Sequence, residues 1–248
     1  RADHEVYLAM LKKLLPQLLQ LLREEGLGGK CYFSISDEPA AEHMESYSYA
    51  VNSVRPLLED FPTIEALSDL SYFEKDLVRN PVPAINHIEP FVGKVKELWT
   101  YYCVAQDYLV PNRFMAMPSA RNRIFGVLAY VYDLKGFLHW GFNFYYSQFS
   151  VERIDPFANT DCSGAFPGGD AFMVYPGENF EVWDSIRHEV FTEALQDLRS
   201  LELLEQRIGR AEVLKLIHQG LDYQLTMTQY PRAASWLLDL RQTINRMV

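Results

Sequence analysis

The sequence predicts an α/β fold of the (β/α)8-barrel type, incomplete, with five strands present and helices at its C-terminal end. Three observations carry this. Strand-like and helical stretches alternate from residue 5 to residue 146 on short connections, the signature of parallel βα units. The strands end in acids, amides and aromatics, and in a barrel the C-terminal strand ends build the active site. No glycine-rich phosphate loop follows any strand, which argues against a dinucleotide-binding sheet.

Each element has its own warrant. Residues 5–25 carry leucines at helical spacing and stop at Gly26, with Pro16 as a kink or a first-turn residue. "KCYFSIS" then reads as a strand. Residues 40–60 are helical, with Tyr47, Val51, Val54, Leu57 and Leu58 along one face. "TIEALSD" is a short strand, "SYFEKDLVRN" a short helix, "VPAINHIEP" a strand, and "ELWTYYCV" a strand rich in aromatics. "SARNRIFGVLAYVYDL" is a helix and "GFLHWGFNFYY" the fifth strand. A barrel needs eight strands, and the chain opens on a helix. The expectation is therefore that three βα units are absent from this chain or supplied by another. The alternative is a complete five-stranded open α/β sheet.

After residue 146 the character changes. Residues 147–182 form a long loop rich in Gly, Pro, Asp and Asn, a length often tied to function. Residues 184–218 are an amphipathic helical stretch capped by Asp184 or Ser185 and broken at Gly209, and residues 232–247 are a last helix. The predicted division is thus 1–146 for the barrel part, and 147–248 for a loop on the active-site side plus helices packed outside.

Composition narrows the function. At 48% hydrophobic and 14% aromatic residues the chain is globular rather than disordered. A net charge of −10 with no basic stripe argues against a nucleic-acid partner. No apolar run reaches the roughly 18 residues of a membrane span. Cys31, Cys103 and Cys162 are far apart, which argues against a disulfide framework and a zinc site; Cys31 and Cys103 lie in apolar runs and read as small core residues. The chain starts at Arg1 rather than methionine, which leaves a signal peptide and the compartment unreadable.

Asp37 and Glu38 are the sharpest candidates. At a strand end the chain turns, and both can tip towards one opening. Two close carboxylates do not both ionise easily, and a carboxyl kept protonated near neutral pH is what a general acid needs. The competing reading is a turn in which Asp37 caps the next helix and Pro39 starts it. His87 and Glu89, two apart on a predicted strand, face one side and suit a polar wall of a sugar site better than a metal pair, since no third ligand stands at a recognisable spacing. Trp99, Tyr101, Tyr102 and Trp140 are either core or a stacking surface for the apolar faces of sugar rings. Trp99, Tyr102, Trp140 and Asn143 at strand ends join His87 and Glu89 as substrate-binding candidates. Asn112 and Arg113 are either turn residues or polar contacts. No G-x-S-x-G and no Ser–His–Asp arrangement appears, and no metal or cofactor is called for.

Four stretches then carry a resemblance: "YFSISDEP", "VPNRFMAMPSARNRIFGVLAYVYDLKGFLHWGFNFY", "DPF…GGDAFMVYPG" and "DSIRHEVFTEALQDLRSLELLE". In this order and spacing, from about residue 30 to residue 218, they resemble the C-terminal half of glycoside hydrolase family 123, once catalogued as domain of unknown function 4091. The resemblance implies a (β/α)8 barrel that removes terminal β-linked N-acetylgalactosamine, or a related sugar, from a glycan or glycoside. It implies that "YFSIS" is strand four, so that strands four to eight are present. It also implies substrate-assisted retaining catalysis. Glu38 would protonate the departing oxygen. Asp37 would orient the substrate's own 2-acetamido group, whose carbonyl attacks the anomeric carbon. A barrel short of three strands exposes two sheet edges, so the chain alone is expected to be inactive or to cover those edges as a homo-oligomer. Two rival readings stand beside this one. One is a glycosidase with Glu38 as acid and Glu89 as nucleophile; the other is a carbohydrate-binding, non-catalytic degenerate barrel.

Overall fold

The computed structural model describes residues 4–248, which form two compact units, one ending at Tyr101 and one spanning Tyr102–Val248.

The first unit opens with α1 (Glu5–Glu24), capped by His4, whose Nδ1 accepts the Val6 amide at 3.3 Å. Leu15 and Leu19 form its buried stripe, Pro16 sits inside the helix, and Gly26 follows its end in the left-handed region (φ +69°) as the leucine pattern predicts. α2 (Met44–Val54) buries Tyr47, Ala50 and Val51. β1 (Glu65–Ala66) and β2 (Pro81–Val82) pair in parallel, with α3 (Ser71–Glu74) between them. Single parallel bridges add Phe33 to Thr63 on one side and join Ala84 to Tyr101 of β3 (Trp99–Tyr101) on the other. Four strand segments thus lie in sequence order, each parallel to the next. Leu58, Leu67, Val82, Ile85, Ile88 and Phe91 are buried in this unit.

The strands are shorter than the sequence suggests, for physical reasons. The ladder at "YFSIS" stops after Phe33, because the Ile35 and Ser36 amides turn to the Glu65 carboxylate instead of a neighbouring carbonyl. The stretch read as the strand "VPAINHIEP" pairs only at its start. Pro83 has no amide to donate, and the chain passes into two 3₁₀ turns, Ile85–His87 and Glu89–Phe91. The buried Ile85, Ile88 and Phe91 recur every third residue, the 3₁₀ repeat, not every second. His87 and Glu89 therefore do not share a strand face; both are exposed, on successive turns.

In the second unit a buried irregular run, Val110 to Phe114, precedes α4 (Ser119–Arg123) and α5 (Phe125–Val131). β4 (Gly136–Leu138) is all that is extended in "GFLHWGFNFYY" apart from bridges at Asn143 and Tyr146. Gly141, at φ +56° and against the Ala171 backbone, turns the chain there. The long loop that follows ends in an antiparallel hairpin, β5 (Val174–Pro176) with β6 (Val182–Asp184). α6 (Ile186–Ile208) is capped by Ser185, whose Oγ accepts the His188 amide. Gly209 (φ +82°) separates it from α7 (Arg210–His218), and α8 (Ala234–Met247) closes the chain. Asp197 of α6, nearly buried, joins three helices: Arg123 of α4 donates to it at 2.7 and 3.0 Å, and Arg241 of α8 at 2.6 Å. No helix among the described residues is long and apolar enough to cross a membrane. None of the three cysteines forms a disulfide. Cys162 is the buried one, while Cys31 and Cys103, read from sequence as core, are half-buried.

Candidate active site

The first unit brings together the carboxylate pair, Tyr101, and Glu65, which sequence reasoning left aside. Phe33 is the last residue of its segment to pair with a neighbour, and the chain then bends through Asp37 and Glu38, both exposed. Glu38 has φ +41°, a left-handed conformation costly for any residue with a Cβ. Backbone strain of this kind gathers at functional sites. The Glu38 carboxylate accepts a hydrogen bond from the Tyr101 hydroxyl through Oε1. Tyr101 is the last residue of β3 and is itself buried, so its hydroxyl is a fixed anchor.

A cleft of about 850 Å³ opens beside Asp37. Its walls carry the carboxylates of Asp37, Glu42 and Glu45 and the hydroxyls of Ser36, Ser46 and Tyr49. Glu38 lies outside that lining. The cap reading of Asp37 finds no support: the 3₁₀ turn Ala41–His43 that leads into α2 has no side-chain cap from Asp37, and the Ala40 amide donates to His43 Nδ1 at 3.1 Å. The Tyr72 hydroxyl holds the Ala40 carbonyl at 2.7 Å, and Pro39 is buried. The segment carrying the pair is thus pinned along its length.

Behind it sits Glu65 of β1, 1% exposed. Its carboxylate accepts from the Ile35 amide (2.5 Å), the Ser34 hydroxyl (2.9 Å) and the Ser36 amide (3.4 Å), and the Tyr47 hydroxyl faces it from α2. Burial raises the Glu65 carboxyl above its ordinary range, and these donors oppose that rise. Burial and the nearby Glu65 charge push the Tyr47 phenol up in turn.

The other candidates fall in different places. Trp99, half-buried, packs on Tyr32 with ring centroids 5.6 Å apart. Trp99 and Tyr101 share a face by the two-residue period of a strand. That period was the available signal for Tyr101, and it pairs Trp99 with Tyr101 rather than with Tyr102.

In the second unit Tyr102 is fully buried, its ring against Phe125 and Phe137 and under the Arg113 guanidinium, 5.2 Å away. Arg113, read from sequence as a turn residue or a polar contact, makes its polar contacts inside the protein. Fully buried, it pairs with Asp170 at 3.3 Å and donates to the carbonyls of Asp170 (2.6 Å) and Trp140 (3.2 Å). Burial lifts the Asp170 carboxyl to about 6, against the pull of Arg113 and the facing Trp140 indole N–H. Trp140 packs edge-on against Phe166 (5.0 Å), and Asn143 is exposed on the backbone bridge to Phe172. His139 donates through Nδ1 to the Trp140 carbonyl at 2.7 Å, and burial, then the Arg113 charge, holds its imidazole down at about 3. The buried Arg113 thus holds the Trp140 and Asp170 carbonyls.

Parallel strand segments in sequence order, with an acidic, hydroxyl-lined cleft beside a strand end, define a class, the α/β proteins. Comparison with known proteins narrows it. Residues 1–204 match the family described as glycoside hydrolase 123, catalytic domain, and the chain belongs to that family. Among solved structures, a family 123 glycoside hydrolase from Clostridium perfringens, described in a study of glycolipid glycan hydrolysis, is similar with a TM-score of 0.67 and 16% identity, which is a likeness of fold. The match covers 98% of this chain and 44% of that one, so the chain spans less than half of its length. No curated protein matches.

Proposed function

We propose that the protein is a retaining glycosidase that removes terminal β-linked N-acetylhexosamine, with N-acetylgalactosamine as the preferred sugar, by substrate-assisted catalysis. The run of parallel segments in the first unit is read as part of a (β/α)8 barrel. The observation that carries the proposal is Glu38 itself: an exposed carboxylate in a strained backbone, beside Asp37, with one oxygen held by the buried Tyr101. With Oε1 engaged, Oε2 is the oxygen left to carry the proton to the departing glycosidic oxygen. Asp37, on the cleft wall, accepts the substrate's 2-acetamido N–H and directs its carbonyl oxygen at the anomeric carbon. The sugar lies across the corner between the two. The attacking atom is already tethered to the reacting ring, so proximity replaces an enzyme nucleophile. The hydroxyls and carboxylates of the cleft suit a neutral, hydroxyl-rich ligand.

The test is Glu38→Gln in the intact protein, assayed on aryl N-acetylgalactosaminides. The expected result is a fall in kcat of roughly 10²–10⁴-fold with a poor leaving group, and a smaller one with an activated leaving group that needs no proton. Unchanged rates on both would end the proposal. Binding without turnover by the wild type would favour a non-catalytic glycan binder instead.

A further inference from the structure

We propose that Glu65 is the positioning residue for the Asp37–Glu38 pair, its buried carboxylate fastening the stretch of chain that leads into them. The inference rests on the reading of that pair given above. Three observations lead to it. Glu65 stands on β1 where its neighbours on the same face, Thr63 and Leu67, are buried, so an aliphatic side chain would satisfy packing there. An ionisable group in such a place is costly unless its oxygens are engaged, and both are. All three of its donors come from Ser34, Ile35 and Ser36, the residues immediately before Asp37, while Tyr47, from the helix after the pair, faces the same carboxylate.

The geometry explains why a carboxylate is used. Once the strand ladder ends at Phe33, the following amides need acceptors that do not keep the chain extended. A carboxylate offers two oxygens to converging donors, which lets the backbone leave the sheet and bend towards the left-handed Glu38. Glu65 acts through the backbone: it sets where Asp37 and Glu38 emerge, and Tyr101 then fixes the Glu38 carboxylate. Glutamine has one oxygen and an NH₂ that presents hydrogens to other donors, so it holds the turn loosely.

The test uses Glu65→Gln, Ser34→Ala and Glu38→Gln in the intact protein, on aryl N-acetylgalactosaminides with poor and with activated leaving groups. If Glu65 aims the acid, Glu65→Gln lowers kcat about tenfold or more on the poor leaving group and much less on the activated one, with KM nearly unchanged. Ser34→Ala, which keeps the carboxylate, gives a weaker loss with the same leaving-group dependence. Hydrogen exchange at the Ile35 and Ser36 amides accelerates in Glu65→Gln. Wild-type kcat in folded Glu65→Gln, alongside an inactive Glu38→Gln, overturns this proposal and leaves the catalytic pair standing. An equal loss on both substrates, tracking a lowered Tm, marks a merely structural role and also overturns it. Should Glu65→Gln fail to fold, Ser34→Ala decides, and the absence of any leaving-group-dependent loss counts against the proposal. A fully active Glu38→Gln removes the reading of the pair and this inference with it.

Discussion

At the scale of single residues, two side chains of the same type do different work because their surroundings differ. Glu38 is exposed and held by one phenol; Glu65 is buried and held by backbone amides. Both were present in plain sight in the sequence, yet only Glu38 stood out, because a carboxylate beside Asp37 at a strand end announces itself. Glu65 sits in an alternating strand pattern where its inward face is invisible without knowing which side is the core. His139 gives a residue-scale prediction. Its imidazole is held neutral down to about pH 3, against about 6.5 when free. As pH falls through this window the unfolded chain takes up a proton that the folded one refuses, so stability present above pH 6.5 is lost towards pH 3, on the order of a few kcal/mol. Asp170, lifted to about 6, acts in the opposite sense, its contribution falling as pH rises from about 4 to 6. The difference in urea unfolding free energy between wild type and His139→Phe therefore isolates the histidine, and the expected difference shrinks steadily below pH 6.5.

At the scale of elements, helices were legible and strands only partly so. α1 and α6 lie where leucine spacing, the Ser185 cap and the Gly26 and Gly209 stops place them, because these signals are local. "VPAINHIEP" is not a full strand because Pro83 and Pro90 interrupt pairing and its apolar residues repeat every third position, which suits 3₁₀ turns. α5 and α6 approach each other closely at Gly126. A Cβ on Gly126 would meet the Ala194 carbonyl oxygen at 1.9 Å, a contact with backbone that no rotamer can relieve. Gly126→Ala is expected to destabilise the protein by about 1–3 kcal/mol or more through overpacking, despite the better helix propensity of alanine. Thermal unfolding of the variant, with α6 amide exchange as a local readout, checks this.

At the scale of the whole molecule, membership of the family 123 catalytic domain and the proposed chemistry meet in one stereochemical outcome. Two displacements at the anomeric centre, first by the acetamido oxygen and then by water, invert it twice. The first-formed product from a β-linked substrate is therefore expected to be the β anomer, seen by proton NMR before mutarotation. An initial α anomer would exclude the double displacement. A substrate with a hydroxyl in place of the 2-acetamido group is expected to be turned over at least about 10²-fold more slowly, since the tethered nucleophile is gone. Efficient cleavage of it would favour an enzyme nucleophile.

The sequence by itself determined the parts that are local in origin: the helices and their caps, the strand-end carboxylates, and enough ordered motif to place the family. Tertiary structure decided what depends on which side of a segment faces the core. It buried Tyr102 and Arg113, set Tyr101 rather than Tyr102 beside Glu38, moved His87 and Glu89 onto exposed 3₁₀ turns, and put Glu65 under the chain leading to Asp37 and Glu38. The physical reason is common to all of these. Periodicity tells which residues share a face, but only packing against the next strand and helix tells which face is inside, and a hydrogen bond between residues thirty or more positions apart leaves no mark in the spacing of either.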